Sequence, residues 1–137
     1  YSAVSCKNMV RLQVGEKMKA TLDVRVQELD SKLQVVKNTA VEIADVVENS
    51  YTILGLEDYE VLLADLIDNN DMVLGSGIWF APYAYDSNEK YVCPYVYKDG
   101  SSTVVTYDYS NAEYDYVSQE YYTIAESSTE PVITDPY

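Results

Sequence analysis

Tyrosine is the side chain of this sequence best suited to handling a small molecule. Fifteen tyrosines occur in 137 residues, and twelve of them fall between Tyr83 and Tyr137. Each offers an apolar ring with a hydrogen-bonding tip, so clustered tyrosines can line a pocket and orient a ligand in it. The plainer alternative is that they are strand residues with solvated hydroxyls, because aromatic side chains favour strands. The usual catalytic repertoire is absent around them. There is no histidine, which removes the commonest general base, the usual triad and most zinc chemistry. Cys6 and Cys93 have no local spacing signal for a bridge and are read as two packed, free thiols. Asp68-Asn69-Asn70-Asp71 invites a calcium reading. It lacks the alternating ligands, central Gly and closing Glu of an EF-hand loop, so it is read as a turn that ends a helix. With no glycine-rich phosphate loop and no nucleophile motif either, the sequence predicts a non-enzyme with no cofactor and no metal.

Charge narrows the partners. The formal net charge is −14, and it is unevenly spread. Residues 1–37 hold seven Lys or Arg against four Asp or Glu, whereas residues 38–137 hold two against nineteen. So acidic a second half excludes nucleic acid, whose phosphates demand a basic face. No run reaches the ~18 apolar residues of a membrane span. There is no signal-peptide pattern, and Tyr1-Ser2-Ala3 is mid-sequence in character, so the chain reads as a soluble piece of a longer protein.

The tyrosines need elements to position them. The longest is a predicted helix over Val10–Asn49, uninterrupted by proline. Leu22, Val26, Leu29, Leu33, Val36, Ala40, Ile43 and Val47 recur in alternating steps of four and three, the spacing of a narrow seam. A helix this long without stop signals is a coiled coil, a stalk or a spine. Part of its seam can pack on a sheet, and the remainder predicts a parallel homodimer. A second helix is predicted over Leu56–Ile67, with Tyr59, Leu62, Leu63, Leu66 and Ile67 on one face and Glu57 and Asp58 favoured by the helix dipole.

Three strands follow: Val73–Phe80, Tyr91–Lys98 and Thr103–Tyr109. Asp99-Gly100 supplies the hairpin turn, and Pro94 stays off a central ladder position. Gly75 and Gly77 share a face with Trp79, leaving room for the long helix to approach there. Asp115 is expected to cap a short helix through Ser118, Glu120 and Tyr122 to about Ala125, and Pro131–Thr134 to start another strand. Together these predict an α+β fold, a long helix and a second helix packed on an antiparallel sheet that is thin for so much helix.

Gly75-Ser76-Gly77-Ile78-Trp79-Phe80-Ala81-Pro82-Tyr83-Ala84-Tyr85, followed by Pro94-Tyr95-Val96-Tyr97-Lys98-Asp99-Gly100, resembles the Cache family. These are PAS-like extracytoplasmic sensor domains of bacterial and archaeal chemoreceptors, histidine kinases and cyclic-dinucleotide enzymes, and the likeness is to the membrane-distal half of a double Cache. It is strongest over residues 72–137. It implies one domain over 1–137: a helical spine at 1–50, a second helix at 56–70 and a sheet portion at 72–137 with a short helix near 115–126. It also implies further strands that this chain does not contain. Relatives that bind amino acids carry Tyr, four residues, Arg, one residue, Trp-Tyr, two residues and Ala. Tyr114, Tyr122 and Ala125 match; Gln119 stands at the Arg position and Tyr121 at the Trp position. The Arg would grip a carboxylate through paired charge-assisted bonds, whereas Gln119 brings a neutral amide.

The resemblance thus implies a ligand site near Trp79, Tyr114, Gln119, Tyr121 and Tyr122. Asp135 is the nearest carboxylate to the family's downstream Asp. A neutral or cationic small molecule is expected there. The implied protein is an extracytoplasmic, periplasmic or extracellular sensor of a membrane-anchored histidine kinase or chemoreceptor, signalling through its long helix. A pilin-like or adhesin subunit is the alternative, opposed by Lys7, Arg11, Glu16, Lys17 and Lys19 in a segment that assembly would require to be apolar.

Overall fold

The computed structural model describes residues 2–132, with side chains from residue 22 onward. Helix α1 spans Ser2–Ser50 and α2 spans Leu56–Asp68. Strands β1 (Gly75–Gly77), β2 (Tyr95–Asp99) and β3 (Ser102–Thr106) form an antiparallel sheet in that order. A 3-10 turn at Tyr116–Ser118 leads into α3 at Glu120–Ser127. The α+β class expected from the sequence is therefore observed. The chain divides into two compact units, residues 1–35 and 36–137. In the first, Leu22, Val24, Val26 and Leu29 are exposed, and Arg25 and Glu28 form a solvent-facing pair at 3.8 Å.

The second unit holds the core. Its α1 segment ends where Asn49 Nδ2 donates to the Asp45 carbonyl at 2.8 Å and the Ser50 hydroxyl turns back to the Val46 carbonyl. Helix α2 starts at Gly55, whose N–H donates to the Asp58 carboxylate at 3.0 Å, satisfying one donor that a helix start leaves open. Tyr59, Leu63 and Ile67, four residues apart, are fully buried. Tyr59 packs with Phe80 and Val92, and Val47 of α1 joins them. Leu63 and Ile67 pack with Val96 at the centre of β2. One face of the sheet is thus covered by helices. Tyr107 beyond β3 also donates to Glu60 of α2 at 2.5 Å.

The register explains the strand lengths. Ser76 pairs with Val96 and Gly77 with Tyr95. Backbone pairing runs beyond the regular ladder, because Lys98 N–H donates to Leu74, Ile78 N–H to Pro94 and Phe80 N–H to Val92, at 2.8, 3.1 and 3.1 Å. The expected Val73–Phe80 strand is nevertheless regular only over Gly75–Gly77. Pro94 has no N–H to return, and the Val92 N–H goes to the Tyr116 hydroxyl instead. For the same reason β2 begins at Tyr95 rather than Tyr91. β3 stops at Thr106, short of Tyr109. The hairpin turn is as expected: Gly100 has φ 63° at its first central position, where a two-residue turn needs a residue without Cβ.

Two expectations are corrected. The glycine face does not receive the long helix. A Cβ at Gly77 would lie 2.7 Å from Cδ2 of Tyr95, and one at Gly75 would collide with the same ring. The room left by the glycines is filled by tyrosine, while the α1 segment lies on the opposite face. Asp115 does not cap a helix either. It precedes the 3-10 turn instead, in the left-handed region at φ 47° and without a side-chain cap; its carboxylate accepts from the Tyr91 hydroxyl at 2.8 Å, and Gln119 holds the N-cap position of α3, also without a side-chain cap. Pro131 and Val132 are irregular, and the rest of that expected strand lies outside the described residues.

Candidate ligand-binding site

The glycine face carries a second core made almost entirely of rings. Cys93, Tyr116 and Tyr122 are buried, packed against Trp79, Tyr91, Tyr95, Tyr109 and neighbouring tyrosines. Most of the tyrosines thus serve packing, with ring centroids 4.8–6.4 Å apart on this face. Burial pushes the Cys93 thiol up to about 12; it is inert near neutral pH.

Three hydrogen bonds clamp the loop before α3 onto the sheet. The Tyr116 hydroxyl donates to the Phe80 carbonyl at 2.6 Å and accepts from Val92 N–H at 3.1 Å. Ser110 Oγ accepts from Cys93 N–H at 2.8 Å. α3 then sets out from Gln119, whose extended backbone (φ −73°, ψ 143°) leaves its carbonyl accepting from Tyr122 and Thr123.

A cavity of about 380 Å³ lies between α3 and the sheet, lined by Trp79, Ala81, Tyr121, Tyr122, Ala125 and Glu126. Tyr121 meets Trp79 edge-on with centroids 5.4 Å apart. The indole Nε1 of Trp79 is buried and has no hydrogen-bond partner in the chain, a costly state for a buried donor. Burial, and after it the nearby Glu126 carboxylate, raises the pKa of the Tyr122 hydroxyl.

Trp79, Tyr121 and Tyr122 therefore meet at one cavity. Tyr114 and Gln119 stand behind its wall. The Tyr114 and Tyr121 hydroxyls are 2.9 Å apart, and Gln119 Nε2 donates to the Tyr114 carbonyl at 3.2 Å. Asp135 lies outside the described residues. Glu126 was not foreseen, although its spacing carries the signal: it lies four residues after Tyr122, hence on the same side of a helix. Two further cavities, of about 360 and 350 Å³, flank the α1 segment. The amides at the first are already spent on helix carbonyls, Asn69 on Asp65 and Asn70 on Leu66, and both read as imperfect helix packing.

Residues 59–137 match the family model described as the methyl-accepting chemotaxis protein-like, first PDC sensor domain. The chain belongs to this family. No curated protein and no solved structure matches it. Chemoreceptor-like PDC sensor domains are PAS-like, non-catalytic modules of signalling proteins, typically the extracytoplasmic parts of membrane receptors. Among the described residues no helix is long and apolar enough to cross a membrane. In this PDC domain the aromatic cavity beside α3 is the feature with the chemistry of a ligand site: apolar walls, two tyrosines and one carboxylate.

Proposed function

We propose that this PDC domain is of Cache type and senses a small neutral or cationic molecule for a membrane-anchored chemoreceptor or histidine kinase. The ligand sits between α3 and the sheet. Trp79, Tyr121 and Tyr122 contact it, and Tyr114 and Gln119 fix the wall. The observation that carries this reading is the cavity of about 380 Å³ walled by Trp79, Tyr121 and Tyr122.

A physical route toward the long helix supports the same reading. Tyr122 packs on Tyr116 at 5.5 Å, and the Tyr116 hydroxyl holds the Phe80 carbonyl. The Phe80 ring packs on Tyr59 at 6.0 Å, and the Tyr59 hydroxyl lies 2.9 Å from Ser50 Oγ at the end of α1. Ligand binding moves α1 to the extent that it favours one of two arrangements of this chain of contacts. A parallel homodimer through the seam of α1 would carry the shift onward, a reading supported by the exposure of Leu22, Val26 and Leu29 at its start.

A thermal-shift screen of neutral, cationic and anionic metabolites against the full chain tests the site. Bound ligand raises the melting temperature by mass action. Stabilising compounds should lose their effect in Tyr121→Ala and in Trp79→Phe. Compounds that stabilise both variants as well as the parent would place the site elsewhere.

A further inference from the structure

We infer that the outer edge of β3 is a docking site for an extended segment of another protein, one with Lys or Arg on either side of an uncharged run. β3 takes no part in the cavity beside α3. Its free backbone groups follow from the register. Residues along the middle strand of an antiparallel sheet turn their backbone groups alternately to one neighbour and the other. Lys98 gives its N–H to the Leu74 carbonyl at 2.8 Å on the β1 side, and Val96 pairs with Ser76 there. Tyr95, Tyr97 and Asp99 therefore bond to β3, through Thr106, Val104 and Ser102. Thr103 and Val105, which alternate with these, turn their N–H and C=O groups away from the sheet, and both residues are exposed. The pairing edge ends at Tyr107, whose carbonyl accepts from Ser110 N–H at 2.9 Å.

The other side of the sheet differs. There Ser76, Gly77 and Ile78 share a cavity with Ala40, Ala44 and Val47 of the α1 segment. Helix α2 packs chiefly on β1 and β2, and β3 reaches it by side chains. Thr103 Oγ1 donates to Asp68 at 3.1 Å and the Tyr107 hydroxyl to Glu60 at 2.5 Å. These bonds hold the strand by one face and leave its rim bare. Proteins usually blunt such an edge with a charge, a proline or a bulge. Residues 101–107 contain no charge and no proline, and the register runs without a bulge. An extended chain laid here gains main-chain bonds to Thr103 and Val105. Charge then selects the occupant. Asp99 and Asp68 stand at one end of the uncharged run, Asp108 and Glu60 at the other. Among the described residues none of the four belongs to an ion pair. The two lysines of residues 38–137 are engaged elsewhere, Lys98 on the Asn70 carbonyl at 3.2 Å and Lys90 over the Tyr91 ring. A strand with a cation at each end complements this rim, whereas a second copy would bring the same carboxylates to it.

The probe is a short labelled peptide of alternating Thr and Val with a Lys at each end, titrated into the full chain by fluorescence anisotropy. Binding should saturate, weaken as NaCl is added, and be about tenfold tighter than that of the same peptide with Glu ends. N-methylation of two adjacent central residues leaves neither edge of the peptide able to pair and should abolish binding. Val105→Pro removes an outward N–H that the β2–β3 ladder does not use, and should abolish binding too; circular dichroism checks that it folds. Asp99→Asn with Asp108→Asn keeps a residue suited to the turn and should remove most of the preference for Lys ends. No binding of the Lys-ended peptide overturns the docking site. So does equal binding of the N-methylated peptide, or full binding to folded Val105→Pro, either of which reduces the contact to charge alone. Equal binding of the Glu-ended peptide, or an unchanged preference in the Asn variant, overturns the cationic partner. A chain carrying Val26→Asp and Leu29→Asp that still dimerises, and turns monomeric when Val105→Pro is added, gives the edge to a second copy instead.

Discussion

The hydroxyl of Tyr116 donates to the Phe80 carbonyl at 2.6 Å, deep in the protein, and in the same place accepts the Val92 N–H. One oxygen atom thus substitutes for the backbone bond that would otherwise join two neighbouring strand segments. Removing it in Tyr116→Phe leaves a buried carbonyl and a buried N–H without that partner. The expected loss is about 1–3 kcal/mol, seen as a lower denaturation midpoint with an unchanged slope. A variant as stable as the parent would mean that the two backbone groups re-pair directly.

Gly77→Val should destabilise the domain by roughly 1–3 kcal/mol through overpacking. The new Cβ would meet Tyr95 Cδ2 at 2.7 Å, Trp79 Cη2 at 3.0 Å and the Pro94 carbonyl at 3.2 Å. Rings can rotate away but a strand carbonyl cannot, so adding Tyr95→Leu should restore only part of the loss. The Trp79 emission should shift in the single variant. Unaltered emission and stability would show that the glycine is not needed for this close packing.

How much of this was legible beforehand depends on which force decides the outcome. Tyr59, Leu63 and Ile67 announce a buried helical stripe by spacing alone, and Asp99-Gly100 announces its turn by backbone sterics. The space above Gly75 and Gly77 was also legible, but its occupant was not. Glycine states that something comes close and carries no information on whether that is a helix or the ring of Tyr95. Gln119, which the resemblance places at the ligand, also starts α3, a role that its neighbours in sequence do not announce. Glu126 was missed because an exposed acidic residue on a helix is ordinary until the opposite wall is known.

Stability should fall on the alkaline side earlier than tyrosine alone would cause. The Cys93 thiol is raised by burial from 9.0 to about 12 in the folded protein. Above pH ~9 the unfolded chain loses this proton while the folded chain keeps it, so unfolding is increasingly favoured. The contribution is complete below the unfolded pKa and is lost as pH rises toward the folded one. Tyr109, Tyr116 and Tyr122, raised from 10.0 chiefly by burial, extend the decline in the same direction. Urea denaturation across this range should show a shallower fall between pH 9 and 10 in Cys93→Ala than in the parent. Parallel curves would place the thiol in contact with solvent.

Self-association should depend on the seam of α1. Leu22, Val26 and Leu29 are 63%, 56% and 49% exposed, a row of apolar side chains that a parallel partner helix would cover. Sedimentation velocity should give a dimer that dissociates on dilution, and Val26→Asp with Leu29→Asp should give a monomer at every concentration. A parent chain that is monomeric at high micromolar concentration contradicts the proposed pairing.

Between Ile78 and Phe80 the two strands are joined in one direction only. Ile78 and Phe80 give their amide hydrogens to Pro94 and Val92; Pro94 has none to return, and that of Val92 belongs to Tyr116. Half of the stitching across this part of the sheet therefore belongs to a side chain rooted beside α3. Whatever displaces that side chain loosens a strand, not merely a loop, and the Val92 amide should exchange with solvent deuterium in step with occupancy of the cavity. At that place the pairing of two strand segments is completed by a ring that belongs to neither.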